Sequence, residues 1–312
     1  MLIDTARLPK DERTYLELRE IYEAAGYALY RMRRFEEYSL YLDNRNFLGS
    51  GQVLTFQGYG GKLMALKPDV TLSIAKNARF DDDKPVKVYY RESVYRTAGE
   101  SGDFREINQM GLEYMGRGDG ETVEICDLAM RSLAAIDPAF VFAVSHMGAL
   151  SALIESAGVT APSRVKAVMD CLRSRNTHDL AAAGGMSAEA AGRLAELISG
   201  STRFPEALAR LGALAVTPAA EAARAELEAI YKNAARTPYA DNIRLDLSVV
   251  NDIDYYNGVV FQGFVERVPR AILSGGRYDG LLAKRGEGYT AMGFALSLGE
   301  LNACYPCQGG EE

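Results

Sequence analysis

Apolar positions change period several times along the chain, and those changes mark out the elements. From Asp11 to Met32, Leu16, Leu18, Ile21, Tyr22 and Ala25 recur near a helical repeat with charges between them, which predicts an amphipathic helix punctuated by Gly26. Gln52–Phe56 and Lys62–Leu66, separated by Gly58, Gly60 and Gly61, predict a hairpin. The run Val70–Ala78 turns helical, with Pro68 beside its start and Asp69 or Thr71 as cap. Val86–Tyr90 and Phe104–Met115 read as an antiparallel pair of strands around a polar loop from Thr97 to Asp103. In the second strand, period two puts Arg105, Ile107, Gln109, Gly111 and Glu113 on one face. Gln109 and Glu113 then point the same way, and Gly111 between them leaves room for a ligand, unless that face is simply solvated.

Glu121–Ala135 is helical. From about Ser145 to Arg236 the composition shifts to Ala, Leu, Glu and Arg with Gly or Pro breaks, which predicts a helical insert over residues 145–236. Strands return at Asn242–Val250, Asp254–Val265 and Ala271–Ser274, followed by a helix at Tyr278–Lys284 and a strand at Tyr289–Leu298. Strands at both ends around a helical middle predict an α+β fold with a mainly antiparallel sheet, in one domain spanning 1–312.

Composition narrows the function classes. With 48% apolar and 25% charged residues the chain is globular in type, and a formal charge of −7 argues against a broad nucleic-acid footprint. No apolar run reaches membrane-spanning length and Met1–Lys10 lacks the apolar core of a signal peptide, so the expected location is cytoplasmic. Cys304 and Cys307 form a CxxC, but a zinc site needs further ligands and the chain has two histidines, so ordinary reduced thiols are expected and no metal or cofactor is implied.

The candidate chemistry lies in short blocks. Lys67-Pro-Asp-Val-Thr71, Tyr90-Arg-Glu-Ser-Val-Tyr-Arg96, the pair Gln109 and Glu113, Asp254-Tyr-Tyr256, Ser274-Gly-Gly-Arg-Tyr-Asp279 and Gly293-Phe-Ala-Leu-Ser-Leu-Gly-Glu300 follow one another along nearly the whole chain. By themselves, Tyr255 and Tyr256 are an aromatic strand pair, Asn257-Gly258 a type I′ hairpin turn and Gly275-Gly276 a turn. Together, the blocks resemble the amino-acid pocket of the histidyl-tRNA synthetases, which are class II aminoacyl-tRNA synthetases. The motif 1 region is the poorest match, with Arg33 where a proline is usual.

The resemblance implies a histidine pocket built from Asp69, Thr71, Arg96, Gln109, Glu113, Tyr255, Tyr256 and Tyr278. Such residues suit a free amino acid: carboxylates accept from the ammonium or ring N–H, an arginine pairs with the carboxylate, and a tyrosine covers the ring. Two departures bear on chemistry. Asn251 stands where the synthetases have a catalytic arginine, and Glu300 where they have an ATP-clamping one. A charge pair about 4 Å apart is worth on the order of 4 kcal/mol at an effective dielectric near 20, so adenylation of histidine is expected to be negligible. Asp69 in place of the synthetases' glutamate resembles the synthetase-like regulatory subunits of ATP phosphoribosyltransferase, and the chain ends soon after Glu300 without a counterpart of the anticodon-binding domain. That resemblance implies a non-catalytic subunit that self-dimerises, assembles with a short catalytic ATP phosphoribosyltransferase and confers activity and histidine feedback on the first step of histidine biosynthesis. A truncated enzyme that activates histidine with ATP is the alternative.

Overall fold

A computed structural model of the chain describes residues 8–42, 53–81, 84–98, 103–118, 120–250, 255–286 and 288–305. Asn251, Asp254, the tip of the Thr97–Asp103 loop and Cys307 lie outside the described residues. The chain begins with helix α1 (Lys10–Ala24), then β1 (Ala28–Leu29), β2 (Phe35–Glu37), α2 (Ser39–Leu42), β3 (Thr55–Gln57), β4 (Leu63–Leu66) and α3 (Thr71–Asn77). Helix α1 stops at Ala24 rather than running on to Met32. Gly26 adopts φ +84°, and the Tyr27 amide closes back on the Tyr22 carbonyl at 3.0 Å, a left-handed C-terminal cap that turns the chain into a strand. The expected hairpin forms as β3 and β4, with β2 added on the other side of β4.

The long hairpin β5 (Val86–Ala98) and β6 (Asp103–Gly116) pairs in register from Val86 opposite Met115 to Ala98 opposite Asp103. After α4 (Glu121–Ile136) and β7 (Val141–His146) come six helices: α5 (Met147–Ser156), α6 (Pro162–Arg173), α7 (Leu180–Gly184), α8 (Ala188–Ser199), α9 (Phe204–Leu214) and α10 (Pro218–Ala234). Ser187 and Thr217 cap α8 and α10 by accepting the amides of Ala190 and Ala220. The chain then adds β8 (Ile243–Leu245), β9 (Val259–Phe264), β10 (Leu273–Arg277), a 3₁₀ segment Asp279–Arg285, β11 (Thr290–Ser297) and α11 (Leu301–Cys304). The main sheet runs β1-β5-β6-β11-β10-β9-β7-β8, antiparallel except where β1 meets β5 and β7 meets β8.

The sheet has two chemically different faces. One carries Leu112, Phe294, Phe261 and Leu296 and is covered by α1 and α4 through Leu18, Tyr22, Ile125 and Leu133, with Tyr22 edge-on to Phe294 at 6.1 Å. Buried residues of the six helices, such as Leu150, Leu172, Leu194, Leu211 and Leu227, join this same core. The opposite face is partly roofed by α3 and the 3₁₀ segment, whose Val70, Ile74 and Leu282 pack with Tyr90, Val94, Met115 and Ala291. The registers Val88–Glu113, Glu113–Gly293, Gly293–Gly276 and Gly276–Val260 form one row across five strands, so these residues share the opposite face.

Three local readings change. Gly275 and Gly276 lie inside β10 instead of forming a turn. A Cβ on Gly275 would sit 2.3 Å from the Gly293 carbonyl oxygen, and one on Gly276 2.6 Å from the Val259 carbonyl oxygen and 2.8 Å from the Tyr256 ring. Close approach is therefore what selects glycine there. Asn257-Gly258 is no hairpin turn either: the Asn257 amide donates to the Arg277 carbonyl at 3.1 Å and its side chain bonds Asp279. Strand β7, absent from the sequence reading, is a central strand with apolar side chains on both faces, so it shows no alternation.

Candidate functional site

The centre of the opposite face is Glu113 on β6, which is 2% exposed. Oε1 accepts the Thr71 hydroxyl at 2.6 Å and Oε2 accepts the Tyr278 hydroxyl. Gly293 beneath it makes this possible, because a Cβ there would lie 2.1 Å from Oε2. Burial pushes the Glu113 carboxyl well above the ordinary value, the Thr71 bond opposes this, and nearby Asp69 adds to it. Asp69 is also pushed up by burial, against the pull of Arg96 and the amides of Leu72 and Thr71. Its Oδ1 accepts the Leu72 amide of the first turn of α3 at 2.8 Å from one residue before the Val70 N-cap, so of the two cap candidates, Asp69 and Thr71, Asp69 is the one that meets a first-turn amide. Arg96 reaches Asp69 at 3.7 Å while its Nε donates to the Pro68 carbonyl at 2.8 Å.

Three tyrosines wall this space. The Tyr255 and Tyr256 ring centroids are 4.5 Å apart, and Tyr278 lies 5.4 Å and 6.1 Å from them. Burial raises the phenols of Tyr255 and Tyr256 above their ordinary value, with Asp69 and Glu113 adding to the shift, so they stand as neutral hydroxyls at physiological pH. Tyr278 donates to Glu113, Tyr256 covers Gly276, and Gln109 joins from β6. All eight residues predicted for the pocket thus lie around one side of the sheet.

The room above Gly111 is not vacant. The Tyr90 ring fills it, with its hydroxyl 2.1 Å from where a Gly111 Cβ would be, and Gln109 donates to that hydroxyl at 3.4 Å. Tyr90 is a site residue that the sequence reading missed. It stands on β5 directly opposite Gly111, a cross-strand relation that only the register supplies. A second unforeseen feature is the ion pair of Lys67 with Glu92, which stands opposite Gln109. Arg277, within the Gly-Gly-Arg-Tyr-Asp block, turns to the other face from Tyr278. It pairs there with Glu121 and, at 3.0 Å, with Glu226, whose other oxygen meets His146 Nε2 at 2.9 Å. His146 Nδ1 accepts the Ala149 amide at 3.2 Å, so Nε2 carries the proton and donates to Glu226. Against burial, which raises it, the bonds from His146 and Thr122 and the charge of Arg277 hold the Glu226 carboxyl at about 2.

Glu300 forms a two-pronged ion pair with Arg270 from the β9–β10 loop, with Nε to Oε1 at 2.8 Å and to Oε2 at 2.9 Å. Its negative charge is therefore compensated locally. A cavity of about 540 Å³ lies farther along the same sheet face, lined by residues including Ala143, Gln262, Arg173, Arg175 and Asp246. Its arginines are already engaged: Arg175 bonds Asp246 at 2.6 Å and the Ile198 carbonyl, and Arg173 bonds the Val250 carbonyl and Asp170. Among the described residues no cluster of three His, Cys, Asp or Glu side chains could hold a metal, and no helix is long and apolar enough to cross a membrane.

The histidyl-tRNA synthetase family model matches residues 5–301, and its span includes every block of the site. The chain belongs to the histidyl-tRNA synthetase family. Within that family, a solved structure described as an ATP phosphoribosyltransferase regulatory subunit/histidyl-tRNA synthetase from Bacillus halodurans superposes with a TM-score of 0.80 at 25% identity, covering 97% of this chain and 81% of that one. The sheet with its flanking helices is thus the class II synthetase fold. The ATP phosphoribosyltransferase regulatory subunit of Symbiobacterium thermophilum is 32% identical over 80% of this chain. That of a Thermoanaerobacter strain is 28% identical over 90% of this chain and 75% of its own. The chain spans 64% of the length of the Symbiobacterium relative.

Proposed function

We propose that this chain is the regulatory subunit of an ATP phosphoribosyltransferase and that its pocket binds free histidine as a feedback signal. The observation that carries the reading is Glu113. A buried carboxylate held, among the described residues, by two hydroxyls, between neutral tyrosines and beside Asp69 and Arg96, offers acceptors to an ammonium or imidazole N–H and a cation to a carboxylate. Relatives bearing the regulatory-subunit name match most of the chain at 26–32% identity, which supports the partner assignment. Catalysis would reside on the partner chain, because Asn251 and Glu300 supply no cation where a synthetase would stabilise phosphate charge. Self-dimerisation within the hetero-oligomer, a helical insert at 145–236 in a single domain, and a cytoplasmic setting with reduced thiols belong to the same reading.

Histidine binding would then bias the subunit toward a state that inhibits its partner, and linkage requires the partner's state to alter histidine affinity reciprocally. Mixing this chain with a short-form ATP phosphoribosyltransferase tests the proposal: activity should need both chains and fall as L-histidine is added. An active catalytic chain that ignores this protein would refute it. The second reading, an enzyme that activates histidine, is favoured by the synthetase model that spans the site. Histidine-dependent ATP–pyrophosphate exchange separates the two, since the regulatory reading expects none.

A further inference from the structure

Lys67 is among the most deeply buried polar residues of the molecule, with 1% exposure, and its ammonium pairs with Glu92 on β5. Burying an ammonium carries a desolvation penalty, and an apolar side chain of similar volume would stabilise the fold as well or better. The pair therefore calls for a reason other than stability, and its surroundings supply one. The segment from Lys67 to Thr71 carries Asp69 and Thr71 into the pocket but has no regular structure before α3 begins. Its anchors are the Lys67 amide to the Arg34 carbonyl at 3.3 Å, the Tyr95 amide to the Lys67 carbonyl at 3.0 Å, Arg96 to the Pro68 carbonyl and to Asp69, and at its far end the Thr71 hydroxyl to Glu113 at 2.6 Å. The Lys67–Glu92 pair is the one side-chain tie from Lys67 to the sheet among the described residues, and Glu92 stands directly opposite Gln109. Glu92 is itself oriented by the Met32 amide at 3.3 Å.

We propose that Lys67 and Glu92 are positioning residues that set the Asp69–Thr71 side of the pocket against the Gln109–Glu113 side. Neither need touch the ligand. The pair ties the start of the segment to the sheet beside Gln109, as the Thr71–Glu113 bond ties its end, and an apolar contact at Lys67 would leave that start free to slide. This rests on the reading of the pocket as a histidine site, and the test separates the two.

Hydrogen exchange of the free protein reads the tie without any ligand. Lys67→Met should speed exchange at the Leu72 and Tyr95 amides by about tenfold or more and leave the β10–β11 ladder unchanged. In calorimetry with L-histidine, Lys67→Met should weaken binding by about tenfold, and Lys67→Arg, which keeps the pair, by less than about threefold. The double variant Lys67→Met, Glu92→Met should recover the wild-type melting temperature but not the affinity. On an Asp69→Asn background the Lys67→Met effect should shrink, whereas on Gln109→Ala it should persist in full. Unchanged exchange at Leu72 and Tyr95, or equal losses on both backgrounds, would overturn the proposal. Faster exchange in a protein that binds no histidine would uphold the tie and remove the histidine reading.

Discussion

Replacing Glu113 by Gln separates stability from recognition, because the structure predicts opposite signs for the two. Among the described residues no cation meets either carboxylate oxygen, and burial, with Asp69 nearby, pushes its pKa well above the ordinary 4.5. A carboxyl whose folded pKa is raised binds more protons in the native state between its unfolded and folded pKa values. Stability therefore falls as pH rises through that window. The amide has no charge to lose. It still accepts from Thr71 and can donate to the Tyr278 oxygen, so at pH 7 the variant should be at least as stable, with a gain of about 1 kcal/mol. That gain should shrink as pH falls toward 4.5 and vanish below it, where Glu113 is protonated in folded and unfolded chains alike. Recognition moves the other way. A ligand N–H that donates to a charged acceptor contributes about 1.5–3 kcal/mol, so histidine affinity should fall by about 10- to 150-fold. Calorimetry at pH 7.5 and thermal melts from pH 4.5 to 8 measure both. Wild-type affinity in Glu113→Gln, or a loss of more than about 2 kcal/mol at pH 7, would refute the assignment of Glu113 as the buried reading group.

Two further outcomes are expected. Gly293→Ala places a Cβ 2.1 Å from Glu113 Oε2 and 2.4 Å from the Leu112 carbonyl oxygen, so the carboxylate or the β6–β11 pairing must shift. Overpacking of this kind costs about 1–3 kcal/mol by denaturant titration, with histidine binding reduced as well. For Glu226, whose folded pKa of about 2 lies below the ordinary 4.5, the sign is reversed: its contribution is present above pH 4.5 and lost as pH falls toward 2. Glu226→Gln should cost about 1–3 kcal/mol at pH 7 and lose this acid-sensitive slope in pH-dependent melts.

The direction of two candidate side chains was legible in the chain because strand periodicity is rigid. Gln109 and Glu113 had to share a face once Phe104–Met115 was a strand, and β6 places them so. That Asp69 or Thr71 would serve the start of α3 followed from residue type and position, and the Leu72 amide meets Asp69. The sheet's mainly antiparallel character followed from strands gathered at both ends of a helical middle. What sequence could not decide were relations across strands. Gly111 promised space, but its register partner Tyr90 occupies it. Gly275-Gly276 promised a turn, but neighbouring carbonyls and the Tyr256 ring required glycine inside a strand. Glu300 meets Arg270, thirty residues away on the β9–β10 loop, a partner that no local pattern marks. Lys67 and Glu92 are twenty-five residues apart, and nothing local marks them as partners. Period and residue type govern which way a side chain points, and the sequence determines those. What fills the space it points into depends on strand order and register, which arise only when distant segments pack together.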